Sequence, residues 1–322
     1  MAKTYDVYGI GNALVDILVE VDDNLIKELQ LKKGNFNMAT HELSKAVLKK
    51  IEHARVKICS GGSAANTMAT IAMLGAKAAF CGKVGDDEYA QLYESEITEI
   101  GVASYLRKAK NMTGHCIVLV TPDAERTFIV NYGAAGTLSK EDISEEEIAS
   151  SNIIHIEGYQ IGNPNTKEAC LHAISCAKRN NIRVSIDVND PGIIKSIKEE
   201  LTNLIKNNVD ILFANEREAK ALTGKEPEEA CQELSKICPL VIIKCGEHGS
   251  FIKTKDQTIK IRAVKTKAID TTGAGDAYAA GFLYGVTKNM PLEECGNLGS
   301  TLGARVDAQV GARLGPEIIK KI

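Results

Sequence analysis

Three short apolar runs constrain the fold of this chain most strongly. Residues 153–156 (IIHI), 211–214 (ILFA) and 241–244 (VIIK) are largely apolar at consecutive positions rather than at alternate ones. Strands of this kind have both faces buried, as in a parallel sheet that helices cover on both sides. The segments between these runs have apolar residues at helical spacing. The pattern therefore predicts an α/β fold of three layers, with helices on both faces of a mainly parallel sheet.

Two segments interrupt this alternation of strands and helices. Both are rich in strand-like runs, and the second contains a hairpin pattern around Pro122-Asp123. Each segment leaves the α/β body and returns to it. We therefore expect a large α/β domain made of residues 1–13, 41–103 and 131–322, with a small β lid made of residues 14–40 and 104–130.

The charge balance excludes several classes of partner. The 322 residues include 39 Lys and Arg against 42 Asp and Glu, so the formal net charge is −3. A chain so close to neutrality has no overall attraction for nucleic acid or for an acidic membrane surface. The nine cysteines include no CxxC pair, which is typical of reduced thiols in a cytoplasm. We expect a cytoplasmic protein that binds small molecules, with no nucleic-acid or membrane partner.

The most specific segment is DTTGAGD, residues 270–276, which precedes an apolar, helix-like run. Its small residues leave backbone N–H groups accessible at a helix N-terminus, where unpaired donors and the helix dipole favour an anion such as phosphate. Asp276 adds a carboxylate that could take the proton of an acceptor hydroxyl. We predict phosphoryl transfer, with Asp276 as base and the amides of Gly273, Ala274 and Gly275 as the anion hole. The alternative is that Asp276 only caps the helix.

This segment and the helix after it resemble the second signature of the PfkB, or ribokinase-like, carbohydrate and nucleoside kinases. Residues 61–66 (GGSAAN) resemble the first signature of that family, and further matching segments follow in the expected order along nearly the whole chain. The resemblance implies a ribokinase-like fold and a kinase that uses ATP and Mg²⁺ to phosphorylate an alcohol group. The alternative is a protein of this fold that only binds its ligand.

The resemblance also implies the position of the ATP site. Asn215 and Glu218 match the NxxE motif, whose Asn and Glu organise the phosphates and the hydration shell of Mg²⁺ in the family. Glu218 would thus hold Mg²⁺ through water, although the motif by itself is more typical of a helix N-terminus that Asn caps. The full set of expected ATP-binding residues is Asn215, Glu218, Lys244, Gly246, Gly249, Thr271, Gly273, Gly275 and Asn297.

On the acceptor side, Asn12 and Asp16 match family positions that hold sugar hydroxyls. A carboxylate accepts hydrogen bonds from hydroxyls, and an amide can accept or donate. Arg126, in the lid hairpin, would swing in to meet phosphate or the acceptor as the lid closes and expels water; without the resemblance it is a surface charge. The complete expected acceptor site is Asn12, Asp16, Gly61, Gly62, Asn66, Tyr159 and Asp276.

Some members of the family bind a monovalent cation beside the anion hole. Asp270 and Thr272 match one half of that site, and residues 307–312 could supply the other half. The resemblance therefore implies a possible site for K⁺.

The choice of acceptor rests on two segments. GNALVDI near the N-terminus and DAERTFIVNYGAA in the hairpin resemble the adenosine kinase branch more than ribokinases. We therefore favour adenosine or a related nucleoside, with a sugar kinase of ribokinase, fructokinase or ketodeoxygluconate kinase type as the alternative. A purine needs an apolar wall or ring, for which Tyr159 or Phe36 is a candidate, although either could be a core residue. A homodimer formed through the lid and a monomer are both open.

Overall fold

The fold is that of a computed structural model, which describes residues 3–123 and 125–319. Its strands, in chain order, are β1 (Tyr5–Ile10), β2 (Leu14–Glu20), β3 (Phe36–Met38), β4 (Val56–Gly61), β5 (Ala78–Cys81), β6 (Lys83–Val84), β7 (Ala103–Ser104), β8 (Arg107–Lys108), β9 (Gly114–Val120), β10 (Arg126–Asn131), β11 (Ser151–Glu157), β12 (Arg183–Asp187), β13 (Ile211–Asn215), β14 (Leu240–Lys244), β15 (Ser250–Lys253) and β16 (Thr258–Ile261).

The helices begin mostly where the sequence places polar capping residues. Thr40 and Asp87, for example, each accept a hydrogen bond from the backbone N–H three residues further on. No helix in the described part of the chain is both long and apolar enough to cross a membrane. The helices are α1 (Asp23–Glu28), α2 (His41–Lys50), α3 (Ser63–Met73), α4 (Glu88–Glu99), α5 (Glu145–Ala149), α6 (Tyr159–Gly162), α7 (Pro164–Arg179), α8 (Pro191–Ser196), α9 (Lys198–Asn208), α10 (Glu216–Thr223), α11 (Pro227–Leu234), α12 (Ala274–Thr287), α13 (Leu292–Asp307) and α14 (Pro316–Ile319).

Nine strands form the large sheet, in the order β16-β15-β14-β13-β12-β11-β1-β5-β7. The strands from β14 to β7 run parallel to their neighbours, and β15 and β16 are added antiparallel at one edge. The prediction of a mainly parallel sheet is confirmed. Because parallel strands point the same way, the carboxyl ends of β1 and of β11 to β14 meet along one edge of the sheet, where polar side chains gather.

Neighbouring residues of the buried strands face two different cores. On β11, Ile154 and Ile156 pack into a core with α7, whereas Ile153 packs into the core on the other face, with α12. On β13, Phe213 meets Phe282 of α12 edge-to-face, with ring centroids 5.6 Å apart. Both faces of the sheet are therefore covered, which is the physical reason for the uninterrupted apolar runs.

Five further strands form the lid sheet, in the order β3-β10-β9-β2-β4. β9 and β10 are the antiparallel hairpin that the sequence predicted around Pro122-Asp123. Strand pairing corrects the expected boundaries at two places. β4, expected in the large domain, pairs with β2 in the lid sheet. β8, expected in the lid, pairs with β6, and β7 at the start of the same range pairs with β5.

Both corrections have a simple physical cause. Without β4, β2 would be an edge strand with unpaired backbone groups, and β4 covers that edge just before the glycine turn at residues 61–62. After α4 the chain returns beside β5, so residues 103–104 extend the large sheet before the chain crosses to the lid.

Candidate active site

A cavity of about 1620 Å³ lies between the lid sheet and the carboxyl ends of the large sheet. Most of the expected site residues line it, although they come from distant parts of the chain. They are Asn12, Asp16, Gly62, Asn66, Tyr159, Asn215, Glu218, Lys244, Gly246, Gly249, Thr271, Thr272, Gly273, Ala274, Gly275 and Asp276. The structure describes four further expected residues that do not line the cavity: Gly61, Arg126, Asp270 and Asn297.

The glycine turn before α12 requires glycine at its N-cap. Gly273 has a left-handed backbone with φ of 82°, and a Cβ there would lie 2.5 Å from the carbonyl oxygen of Ala312. The turn thus brings the first amides of α12 to the cavity without a side chain in front of them. Unpaired first-turn amides and the helix dipole suit an anion at this point.

Asp276 lies in the first turn of α12 and faces two hydrogen-bond donors. Ser63 Oγ donates to its Oδ1 over 2.6 Å, and Asn66 Nδ2 donates to its Oδ2 over 3.1 Å. Burial raises the pKa of Asp276 to about 6, while these two hydrogen bonds hold it down. At neutral pH such a carboxylate is ionised and basic enough to accept a proton from a hydroxyl.

A buried ion pair lies beneath the glycine turn. Lys244, at the end of β14, pairs with Asp187, at the end of β12, and a Cβ at Gly275 would lie 3.1 Å from Lys244 Nζ. Burial acts to lower the pKa of Lys244, but attraction to Asp187 and Glu218 outweighs it and leaves that pKa raised. A charged ammonium therefore stands next to the amides that could hold phosphate.

Asn215 and Glu218 serve both as a helix cap and as part of the cavity wall. Asn215 Oδ1 accepts from the Glu218 N–H over 2.9 Å, and Glu218 Oε2 accepts from the Asn215 N–H over 2.7 Å, which completes a capping box. Burial and the nearby charge of Asp187 raise the pKa of Glu218 to about 7. The helix-cap interpretation and the site interpretation of this motif are therefore compatible.

The carboxylates of Glu218 and Asp187 are the groups that fit Mg²⁺. Glu218 lines the cavity near the glycine turn, and Asp187 Oδ1 is buried without a partner among the described residues. Oxygen ligands of this kind suit Mg²⁺, which keeps several of its waters and takes phosphate oxygens as further ligands. No group of three or more His, Cys, Asp and Glu side chains in the described ranges could hold a metal ion by itself.

At the other end of the cavity, Glu157 holds the loop between β1 and β2, which contains Asn12. Its Oε1 accepts from both the backbone N and Nδ2 of Asn12, at 2.9 and 2.6 Å, and its Oε2 accepts from the Ala64 N–H at 3.0 Å. Burial raises the pKa of Glu157 to about 7. Asn12 is thus held with its amide oxygen free of Glu157, in a position to contact a ligand.

Asp16 lies on the inner face of the lid, close to the glycine turn before α3. A Cβ at Gly61 would collide with its carboxylate, which explains the requirement for glycine there although Gly61 itself does not line the cavity. Burial raises the pKa of Asp16 to about 7, and the positive charge of Arg313 offsets part of that rise.

The end of the cavity where the acceptor is expected has an apolar wall. Leu14, Cys116 and Val130 line it from the lid, together with Tyr132 and the expected ring Tyr159. Cys116 and Val130 belong to a cluster on this face of the lid sheet. The side chain of Phe36, the other candidate ring, lies outside what the structure describes.

Arg126 forms an ion pair with Asp270, directly before the glycine turn. Burial acts to raise the pKa of Asp270, but the N–H groups of Gly311 and Thr272 and the charge of Arg126 outweigh it and leave that pKa lowered. The Gly311 N–H donates to Asp270 Oδ2 over 2.9 Å. The two segments expected to flank a cation, residues 270–272 and 307–312, therefore do lie together.

A model of the pfkB family of carbohydrate kinases matches residues 33–318 of the chain. The chain belongs to this family. Its fold is the ribokinase-like α/β fold, and the protein is a phosphotransferase with an alcohol group as acceptor. A pfkB kinase uses ATP as co-substrate and typically Mg²⁺.

The relatives of this pfkB kinase carry two kinds of name. A protein of Archaeoglobus fulgidus named as an uncharacterized sugar kinase is 29% identical over 76% of this chain and 97% of its own length. A 5-dehydro-2-deoxygluconokinase of Bacillus subtilis is 28% identical over 92% of this chain and 88% of its own.

Two solved structures cover almost the whole chain. Adenosine kinase from Sinorhizobium meliloti superimposes with a TM-score of 0.88 at 33% identity, covering 98% of each chain. A probable sugar kinase from Rhizobium etli superimposes with a TM-score of 0.90 at 31% identity, covering 100% of this chain and 99% of its own.

Several residues of this pfkB kinase site were not expected from the sequence. Glu157 and Asp187 end parallel strands, and that position was the signal that could have identified them. Ser63 lies inside the GGSAAN segment, which was the signal that could have identified it, whereas Tyr132 carries none. Asn297 was expected in the ATP site but does not line the cavity. It is exposed on α13, and Ser300, one turn further on, lines the cavity instead.

Proposed function

We propose that this kinase transfers the γ-phosphate of ATP to the primary hydroxyl of adenosine or a related nucleoside, with Asp276 as the base. The observation that carries the proposal is the apolar wall at the acceptor end of the cavity, formed by Leu14, Cys116, Val130, Tyr132 and Tyr159. A purine presents a flat, largely apolar face that would be buried against such a wall. A small sugar presents less apolar surface to such a wall than a purine does.

The charge of the acceptor end also supports a neutral acceptor. Asp16, Glu157 and Asp276 line it, and none of the described residues that line this end is a Lys or an Arg. A sugar acid such as 5-dehydro-2-deoxygluconate carries a carboxylate, which the ionised Asp276 and the partly ionised Asp16 and Glu157 would repel. The hydroxyls of a ribose would instead find acceptors in Asp16 and Asn12.

The proposed chemistry divides among three groups of residues. Asp276 takes the proton of the primary hydroxyl, and the amides of Gly273, Ala274 and Gly275 stabilise the negative charge of the transferred phosphoryl group. Lys244 adds a fixed positive charge beneath the same amides. Mg²⁺ bound near Glu218 would neutralise phosphate charge.

A monovalent cation beside Asp270 and Thr272 is a further part of the proposal. The contact between Asp270 and Gly311 supports it, since it joins the two expected halves of the site. Activity assays in K⁺ and in a bulky organic cation test it, and equal rates in both would contradict it.

The oligomeric state can be tested at the lid edges. β3 and β4 are the edge strands of the lid sheet, and Met38 and Val56 on them are 58% and 37% exposed. A homodimer through the lid would cover these residues. Sedimentation of the wild type and of Met38→Lys distinguishes it from a monomer, since only a dimer of this kind would dissociate.

A sugar kinase is the second candidate function. The observation that favours it is that relatives covering most of the chain are named sugar kinase and 5-dehydro-2-deoxygluconokinase. In that case Tyr132 and Tyr159 would be ordinary packing residues and would not contact a purine.

An ATP-consumption screen separates the two candidates. Adenosine, inosine, ribose, fructose, ketodeoxygluconate and 5-dehydro-2-deoxygluconate are each offered with ATP and Mg²⁺, with Asp276→Asn protein as the blank. We expect the highest kcat/KM for adenosine. A higher kcat/KM for a sugar or sugar acid would overturn the nucleoside proposal and leave the kinase assignment intact.

A further inference from the structure

Arg313 follows α13 and reaches the proposed base from outside the cavity. Its Nε donates to Asn66 Oδ1 over 2.8 Å, and its Nη1 donates to Ser60 Oγ. Its Nη2 is buried without a partner among the described residues. The backbone carbonyl of Arg313 accepts from Gln309 Nε2 over 2.6 Å, which fixes the loop that carries it.

This guanidinium determines which way the Asn66 amide faces. A guanidinium only donates hydrogen bonds and a carboxylate only accepts them. The amide oxygen of Asn66 must therefore face Arg313, and its NH₂ group must face Asp276 Oδ2, which lies 3.1 Å away. The opposite orientation would place two donors together and an amide oxygen against a carboxylate.

The loop that carries Arg313 also contacts the glycine turn. The carbonyl of Ala312 packs against Gly273, and the N–H of Gly311 donates to Asp270. Three consecutive residues of one loop thus touch the turn and, through Asn66, the base. A displacement of this loop would change the anion hole and the base together.

We propose that Arg313 is a positioning residue, which holds Asn66 as a hydrogen-bond donor to Asp276 and so keeps the base in its proton-accepting form. The inference rests on the proposed role of Asp276. Hydrogen bonds donated to an ionised carboxylate stabilise its charge. Without the Asn66 donor, burial would raise the pKa of Asp276 further above its usual range.

Other titratable groups also act on Asp276, and the test must separate them from Arg313. Those that face it are Asp187 of β12, Lys244 of β14, Glu157 of β11, Asp16 of β2 and Tyr159 of α6. Arg313 itself lowers the pKa of Asp16, so loss of Arg313 would also weaken acceptor binding at neutral pH.

The experiment is the pH dependence of kcat for the wild type, Arg313→Met, Asn66→Ala and the double variant, at saturating ATP and acceptor so that the effect of Arg313 on acceptor binding through Asp16 is removed. In Arg313→Met we expect the acid limb to move up by about 1 pH unit, so that kcat falls about 2-fold at pH 7 and about 10-fold at pH 5, with recovery toward pH 9. Because Arg313 acts through Asn66, the double variant should lose little more than Asn66→Ala alone.

Arg305→Met is the matched control. Arg305 is on α13 and donates to the carbonyl oxygen of Ile318 over 2.8 Å, so it braces the same region without touching the cavity. Its loss should lower the Tm and leave the pH profile unchanged. Arg313→Lys keeps the charge and one donor, and should recover part of the activity of Arg313→Met.

Two results would overturn the inference: an unmoved acid limb in Arg313→Met, or losses that multiply in the double variant. A fall in Tm with an unchanged pH profile has the same meaning, since it shows a purely structural role. If instead Asp276→Asn keeps near-full turnover, the proposed base is wrong, which is a separate failure visible in its own assay.

Discussion

Arg126 of the lid hairpin and Asp270 of the large domain form an ion pair that joins the two sides of the cavity. The carboxylate is almost fully buried, since only 3% of the Asp270 side chain is exposed, against 21% for Arg126. The pair therefore links the position of the lid to the segment that precedes the glycine turn.

Arg126→Ala should weaken both lid closure and the support of that turn. We expect kcat/KM to fall about 10-fold in steady-state assays. Lys33→Ala is the control, because Lys33 forms lid ion pairs with Asp23 and Asp123 that are more exposed and lie away from the cavity. Wild-type kinetics in Arg126→Ala would show that the ion pair has no role in turnover.

Asp276→Asn should remove the proton acceptor and leave the shape of the cavity unchanged. We expect kcat to fall by about 10²- to 10⁴-fold, since that is the usual contribution of general base catalysis. Isothermal titration should still detect ATP and acceptor binding. Asp256→Asn, at an exposed turn, is the control and should be fully active; comparable activity in the two variants would exclude Asp276 as the base.

Asp16→Asn should stabilise the protein and weaken acceptor binding, and the gain in stability should depend on pH. Because burial raises the pKa of Asp16 to about 7, the folded protein binds this proton more tightly than the unfolded chain does. The contribution of Asp16 to stability is therefore complete below about pH 4 and is lost as the pH rises through 7.

At pH 8 we accordingly expect Asp16→Asn to raise the free energy of unfolding by at least about 1 kcal/mol. The gain should shrink at pH 5 and vanish near pH 4, while acceptor binding is weakened throughout. Urea unfolding of both proteins at pH 8, 5 and 4 measures this difference in the free energy of unfolding. A gain that does not change with pH would mean that the Asp16 charge is not its cause.

Gly273→Ala should lower the free energy of unfolding by more than the strain of a left-handed backbone alone. At Gly75, φ is 87° and a Cβ would meet nothing within 4 Å, so Gly75→Ala isolates the backbone strain of about 1–2 kcal/mol. At Gly273 the added Cβ also meets the Ala312 carbonyl at 2.5 Å. We expect a larger loss of stability there, measured by urea unfolding, together with loss of turnover that Gly75→Ala does not show.

Local patterns predicted much of this fold. The buried runs became β11, β13 and β14, the turn at Pro122-Asp123 became the lid hairpin, and DTTGAGD became a glycine turn before α12. These features depend on residues close together in sequence, whose spacing and backbone requirements can be read directly. The pairing of β4 with the lid could not be read in this way, because it depends on which strand edge remains open.

The sequence by itself determined the family, the glycine turns and the identity of the proposed base, because short motifs specify them. Only the tertiary structure decided how that base is held. Ser63 is 213 positions from Asp276, and Arg313 is 247 positions from Asn66. No local periodicity encodes such contacts. They arise because parallel strands and the helices between them bring distant segments to one edge of the sheet, where buried polar groups must find partners.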